Sequence, residues 1–224
     1  MAEATTAATK KMTVQDIVDG IVELIRNGIY LPGTPIREVE LCKLFGVSRT
    51  PVREALRLLQ NSSVVEYIPR CGVQVAEMNR QTLANITETR TILEVLSTRQ
   101  AAERITQEEI EELRQINEQF LTAAAGQEGG HFDCLFHTRI AEISGNDCII
   151  QFLDNLLMRQ AIVSATFEET PHRRQYSYAE HQGILQAMEL HDPELAAKQA
   201  DIHFHMSQAS LQSRLEKYLQ NRTK

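Results

Sequence analysis

The sequence is informative first through what it lacks. No apolar run approaches the about 18 residues that a membrane-spanning helix needs, so none is expected. The segment Met1 to Lys11 is rich in Ala and Thr and has no apolar stretch of the signal-peptide kind, so residues 1–12 read as a flexible arm. The four cysteines, Cys42, Cys71, Cys134 and Cys148, show no CxxC spacing, which points to a reduced, cytoplasmic compartment. No HExxH and no nucleophile motif occurs, and no internal repeat. An excess of positive charge is also missing, since the net charge of the 224 residues is −7.

That charge is unevenly placed. Residues 1–78 hold nine Lys+Arg and nine Asp+Glu, whereas residues 79–224 hold the remaining 14 and 21, which accounts for the whole −7. At 42% hydrophobic, the chain can bury two small cores. The first segment is neutral and the second acidic, so they are read as separate domains, 13–78 and 79–224.

In the first, residues 13–27 carry Val14, Ile17, Val18, Ile21, Leu24 and Ile25 at helical spacing, and Gly28 with Pro32-Gly33 breaks the pattern. Glu38 to Phe45 form a second short helix. Gly46 can end it in a left-handed conformation, Ser48 can cap the next helix, and Pro51 falls inside the first turn. In that third helix Val52, Ala55, Leu56 and Leu59 supply an apolar face, while Arg49, Arg53 and Arg57 follow at i, i+4 and i+8 on another. An arginine stripe alone is more often a solvated face. Here it precedes two β-rich runs, Val64 to Ile68 and Val73 to Val75, joined by Pro69-Arg70-Cys71-Gly72. Three helices and a β-hairpin make a winged helix-turn-helix, whose third helix suits a major groove. With no basic field, affinity must come from placed arginines and from a homodimer bridging two half-sites.

These residues carry a resemblance. Pro32-Gly33, Leu41 to Leu44, the run Gly46-Val47-Ser48-Arg49-Thr50-Pro51-Val52-Arg53-Glu54-Ala55-Leu56 and the wing residue Gly72 resemble the DNA-binding domain of GntR-family bacterial transcription regulators. The resemblance implies that Arg49 and Arg53, supported by Ser48 and Thr50, meet operator DNA, and that Arg70 and Gly72 form the wing tip. Val39 stands where some members carry a further DNA-contacting arginine, and Cys71 where a second basic or polar wing residue is usual.

From Asn79 onward every segment has helical period, with helices expected near 79–104, 107–124, 129–143, 147–167, 173–190 and 193–219. The breaks fall at Thr106, Gly126 with Gly129-Gly130, Ser144-Gly145, Pro171 and Asp192-Pro193. The fold class is therefore mainly α: a winged helix-turn-helix followed by an all-α bundle of about six helices.

Asp133 and His137 are four apart on one helix. His181 lies in an apolar stripe with Tyr178, Ile184, Leu185 and Met188, and His203 on a face of small residues, Ala196, Ala200 and Ser207. A lone histidine of this kind is usually a satisfied core residue. Three histidines and an aspartate facing inward from three helices suit a borderline divalent metal such as Zn²⁺ or Ni²⁺. His131, His172 and His191 sit at helix ends or loops, and His205 faces away from His203. Glu180 adjoins His181, but at about 100° around the helix it is expected to point elsewhere, which leaves a hydrolytic site without a base. Arg90 falls in an apolar stripe with Leu83, Ile86, Leu93 and Leu96, so it needs a buried partner, either an internal Glu or the carboxylate of a small effector.

Residues 79–220 resemble the FCD ligand-binding domain of the FadR subfamily, through Arg90 to Glu94, Asp133 to His137, Ser144-Gly145-Asn146, Glu180-His181 and Ala200 to His203. That resemblance implies a divalent ion held by Asp133, His137, His181 and His203. It also implies an organic-acid effector met by Arg90, with Arg139, Asn146 and Tyr178 as further lining residues. The expected protein is a homodimeric, cytoplasmic transcription regulator, a repressor rather than an enzyme.

Overall fold

The computed structural model describes residues 12–123, 127–166 and 171–222. All of the expected N-terminal arm except Met12, and the expected break at Gly126, lie outside the described residues.

The first helix, α1 (Val14–Arg26), begins at a capping box: the Thr13 hydroxyl accepts from the Asp16 amide at 3.1 Å, and the Asp16 carboxylate accepts from the Thr13 amide at 2.7 Å. Its buried face is Ile17, Val18, Ile21, Val22 and Ile25. Helix α2 (Glu38–Phe45) stops at Gly46, whose φ of 65° only glycine adopts without strain. Helix α3 (Arg49–Asn61) buries Val52, Ala55, Leu56 and Leu59. Ser48 has the extended backbone of a cap, but its hydroxyl makes no capping bond. Strands β1 (Val65–Ile68) and β2 (Gly72–Val75) pair antiparallel, with Val65 opposite Val75 and Ile68 opposite Gly72. Gly72, at φ 90°, and Arg70, at φ 70°, form the left-handed tip of this wing.

Among the described residues six helices follow: α4 (Arg80–Ala102), α5 (Gln107–Thr122), α6 (Gln127–Ser144), α7 (Asp147–Thr166), α8 (Pro171–Glu189) and α9 (Pro193–Arg222). Asn79 caps α4 and Thr106 with Glu109 boxes α5. Two expectations are corrected. Gly129-Gly130 does not break the chain but lies in the first turn of α6, and Pro171 opens α8 rather than preceding it. Glycine weakens a helix by only about 1 kcal/mol, and proline is tolerated in the first turn, where no amide partner is lost.

Helices α4, α5, α6, α8 and α9 pack around Phe136, Ile140, Leu113, Ile184, Leu185, Met188, Ala200 and Phe204. The winged helix is not an isolated bead. Ile162 of α7 and Leu211 and Leu215 of α9 are buried in the same cluster as Ile17, Ile21, Leu41, Val52 and Leu83. Ser62 also bonds Asn155 of α7 at 2.9 Å.

Candidate functional site

Two candidate sites stand out in this arrangement. The first is the outer face of α3. Burial of Val52, Ala55, Leu56 and Leu59 turns Arg49, Thr50, Arg53 and Arg57 outward, where all four are exposed. Arg53 donates from Nε to Glu38 of α2. Val39, also on α2, is exposed and apolar.

The second lies inside the bundle. Asp133 and His137 share one face of α6, His181 comes from α8 and His203 from α9, and one ligand atom of each falls within 4.8 Å of all the others. His137, His181 and His203 are only 3%, 0% and 2% exposed. The Nε2 atoms of His203 and His137 are 3.2 Å apart, and Asp133 Oδ1 is 3.7 Å from His181 Nε2 and 4.0 Å from His137 Nε2.

Each imidazole is anchored through its other nitrogen. His137 Nδ1 lies 3.0 Å from Glu94 Oε2, His181 Nδ1 2.9 Å from Asn117 Oδ1, and His203 Nδ1 2.8 Å from Glu180 Oε2. The Asn117 amide is fixed in turn, because its Nδ2 donates to the Tyr178 carbonyl at 3.3 Å. All three acceptors call for Nδ1–H, which leaves three Nε2 lone pairs aimed at one point. His181 Nε2 is buried with no hydrogen-bond partner among the described residues. Leaving such an atom unsatisfied costs about 1–3 kcal/mol. Burial, with the charges of His203 and His137 adding to it, holds the His181 imidazole well below its usual pKa. Burial also lowers His203, against the opposing hydrogen bond from Glu180. Neutral imidazoles with converging lone pairs beside a carboxylate are the donor set of a tetrahedral or open divalent site, so these residues fit such an ion.

The anchors carry their own counter-charges. Burial alone would raise Glu94, but the Arg90 guanidinium and His137 outweigh it and hold the carboxyl at about 2. For Glu180 too, burial is outweighed, by the His203 hydrogen bond and by Arg173, whose Nη1 and Nη2 reach it at 2.9 and 2.7 Å. With Glu94 balanced by Arg90 and Glu180 by Arg173, the inner set keeps the single charge of Asp133. A divalent ion there would hold one uncompensated positive charge, which favours an anionic ligand.

Arg90 is buried as expected, but Nε pairs with Glu94, one turn along α4, and the guanidinium lies 5.4 Å over the Phe204 ring. The buried stripe of α4 runs from Leu83 through Arg90 to Glu94 and Thr98, which brings the two together, while Leu96 is 39% exposed. Glu180 does not point away: it reaches His203 on the neighbouring helix. Arg139 bonds Glu109, Glu112 and Glu142 along α5 and α6. Asn146 bonds Gln100 and the Ile149 amide at the α6–α7 turn, and the Tyr178 hydroxyl goes to Glu118. None of these three side chains bonds to the Asp/His set. Outside it, His205 bonds its own helix at the Asp201 carbonyl, 2.9 Å away. Sequence reasoning missed Glu94, Asn117, Glu180 and Arg173 as anchors. The available signal was polarity inside a buried stripe, since Asn117 lies among Leu113, Ile116 and Phe120 on α5.

Known proteins share this combination. The model of the bacterial regulatory proteins of the gntR family matches residues 13–75, and that of the FCD domain matches residues 85–206. The chain is 27% identical to the HTH-type transcriptional repressor NanR of Cronobacter sakazakii, over 94% of this chain and 89% of that protein. It is 24% identical to the gluconate operon transcriptional repressor of Bacillus licheniformis, over 80% of this chain and 73% of that one. Escherichia coli McbR/YncC has the same fold, with a TM-score of 0.78 at 22% identity over 88% of this chain and 96% of that one. The chain therefore belongs to the GntR family of bacterial regulatory proteins, with an FCD domain behind its winged helix.

Proposed function

We propose that the protein is a cytoplasmic, homodimeric transcription repressor whose operator affinity is set by a divalent ion, Zn²⁺ or Ni²⁺, and by a small organic acid bound beside it. The domain division at residues 78 and 79 then separates reading from sensing. Arg49 and Arg53, with Ser48 and Thr50, meet the major groove, and Arg70 and Gly72 bring the wing to the minor groove. Asp133, His137, His181 and His203 hold the ion. The observation that carries this reading is the convergence of three buried Nε2 atoms, each anchored at Nδ1, in the same chain as an exposed arginine helix.

The bound ion would act as a Lewis acid for one anionic ligand. Arg90 supports that ligand's field through Glu94 rather than by direct pairing. Gluconate, for whose operon the Bacillus licheniformis repressor is named, is a hydroxy acid, in keeping with a carboxylate effector. Such an effector acts only by binding the DNA-competent and DNA-incompetent arrangements unequally. Its lever is α9, which carries His203 on its buried face and, further along, Leu211 and Leu215 in the cluster that also holds the core of the winged helix. A hydrolytic role is disfavoured because Glu180, the carboxylate nearest a base position, is already tied to His203 and Arg173.

Metal analysis with native mass spectrometry of the purified protein tests the ion, any retained acid and the dimer together. Gel shifts with and without a panel of hydroxy and keto acids test the control. Metal-free protein that takes up no zinc or nickel would refute the metal assignment, and operator binding unchanged across the panel would refute effector control.

A further inference from the structure

Arg53 is held in place before any DNA arrives. It projects from the second turn of α3 with 64% of its side chain exposed, yet its Nε donates to both oxygens of Glu38, at 3.0 and 2.9 Å. Glu38 is the first residue of α2, so this contact bridges the two helices of the helix-turn-helix. Among the described residues Arg53 has no other hydrogen-bond partner, and Arg49 and Arg57 on the same stripe have no acidic partner at all.

An exposed ion pair of this kind contributes little to stability. Its geometry matters more. With Nε engaged, the guanidinium presents its Nη1 and Nη2 edge outward, two donors side by side, which is the pattern that meets O6 and N7 of a guanine. The carboxylate also offsets the charge that would draw Arg53 to a phosphate, and it removes much of the rotamer freedom that would let the side chain reach one. Arg49 and Arg57, unpaired, keep their full attraction to the backbone.

We infer that Glu38 is a specificity-determining residue: it holds Arg53 as a reader of a G·C pair and withholds it from phosphates. The neutral charge of the DNA-binding segment has this consequence, because one of its carboxylates sorts the arginines into a base reader and backbone contacts. The inference rests on the reading of α3 as the DNA-contacting helix.

The test uses the full chain and duplexes selected from a randomised library with the wild-type protein. The recovered consensus and poly(dI-dC) serve as specific and non-specific probes across a salt series. Wild type, Glu38→Gln, Arg53→Ala and the double variant are compared, with circular dichroism melts to check folding. Arg53→Ala is expected to lose preference at one G·C pair per half-site. Glu38→Gln is expected to relax preference at that same pair by roughly tenfold. It should also bind poly(dI-dC) more tightly, with a salt slope steeper by about one. In the Arg53→Ala background it should change neither the pair preference nor the slope. Full preference retained in Glu38→Gln, while Arg53→Ala loses it, overturns the inference and leaves the helix reading intact. Equal effects of Glu38→Gln in both backgrounds overturn it as well, by making Glu38 a general charge. Preference retained in Arg53→Ala refutes the reading of the helix itself. If Glu38→Gln does not fold, Glu38→Asp replaces it: a carboxylate too short to span the same gap should give the same relaxation, and full preference in that variant overturns the inference.

Discussion

Replacing Glu94 by Gln changes one charge and almost no volume, yet two consequences follow. Glu94 uses one oxygen for Arg90 Nε and the other for His137 Nδ1. A glutamine has only one such oxygen. If that oxygen faces Arg90, its amide N–H₂ faces His137 and forces the imidazole to accept at Nδ1, which moves the proton to Nε2 and aims it into the cluster. If the oxygen faces His137, the amide N–H₂ meets the Arg90 N–H, donor against donor. The stability term follows from the carboxyl being held at about 2 instead of 4.5. At about 1.4 kcal/mol for each pH unit, that is about 3 kcal/mol, within the range of about 3–5 kcal/mol for breaking a buried ion pair. The folded value is depressed, so this stability is complete above about pH 4.5 and is lost progressively as pH falls toward 2. Urea titrations of metal-free protein at pH 7 and pH 3.5 check it. Glu94→Gln should be less stable by about 3 kcal/mol at pH 7, and the gap should narrow in acid. Zinc competition against a chelator should show affinity lower by about 10–100-fold. A pH-independent stability gap would refute the ion-pair argument, and unchanged zinc affinity would refute the tautomer argument.

Other outcomes can be stated briefly. Arg49→Ala should weaken binding to a selected operator duplex by at least tenfold in a gel shift without lowering the melting temperature, since the side chain is exposed. Zinc at about 100 times its dissociation constant should stabilise the metal-free protein by about 2.7 kcal/mol, seen as a raised melting temperature; His181→Ala should abolish that gain because its buried Nε2 is the unsatisfied atom. Leu215→Ala should cost about 2–5 kcal/mol in urea unfolding and, because Leu215 is buried in the cluster that also holds Ile17 and Ile21 of α1, should expose the α1 amides to hydrogen exchange.

Much of the helix register was legible because its signals are local. Thr13 with Asp16, Gly46, Asn79 and Thr106 with Glu109 are caps or stops whose chemistry acts within one turn. The apolar periodicity of α3 already separates the buried Val52 and Leu59 from the outward arginines. Gly129-Gly130 misled because a glycine pair weakens a helix by an amount that packing of the following turns readily offsets. The Asp/His set was legible for a different reason: three imidazoles inside apolar or small-residue stripes conflict with burial unless something joins them.

The anchors around that set were not legible. Whether Glu180 faces solvent or His203 depends on where α9 lies against α8, and a 100° step around one helix does not say which neighbour fills the gap. Arg90 shows the same limit. Its burial was readable, but that Glu94 would join it to His137 depends on how α4 packs against α6. Arg139 and Tyr178 are polar residues near the expected pocket in sequence, yet they end in ion pairs and hydrogen bonds along α5.

Sequence by itself thus determined the elements, the two-part organisation and the residue types of both sites, because propensity, capping and burial periodicity are properties of a few consecutive residues. Tertiary structure alone decided which nitrogen of each histidine faces inward and which residue of a neighbouring helix anchors the other. Those outcomes depend on distances of about 3 Å between residues 23 to 66 positions apart, and at that range the strength of a hydrogen bond is set by packing rather than by sequence neighbourhood.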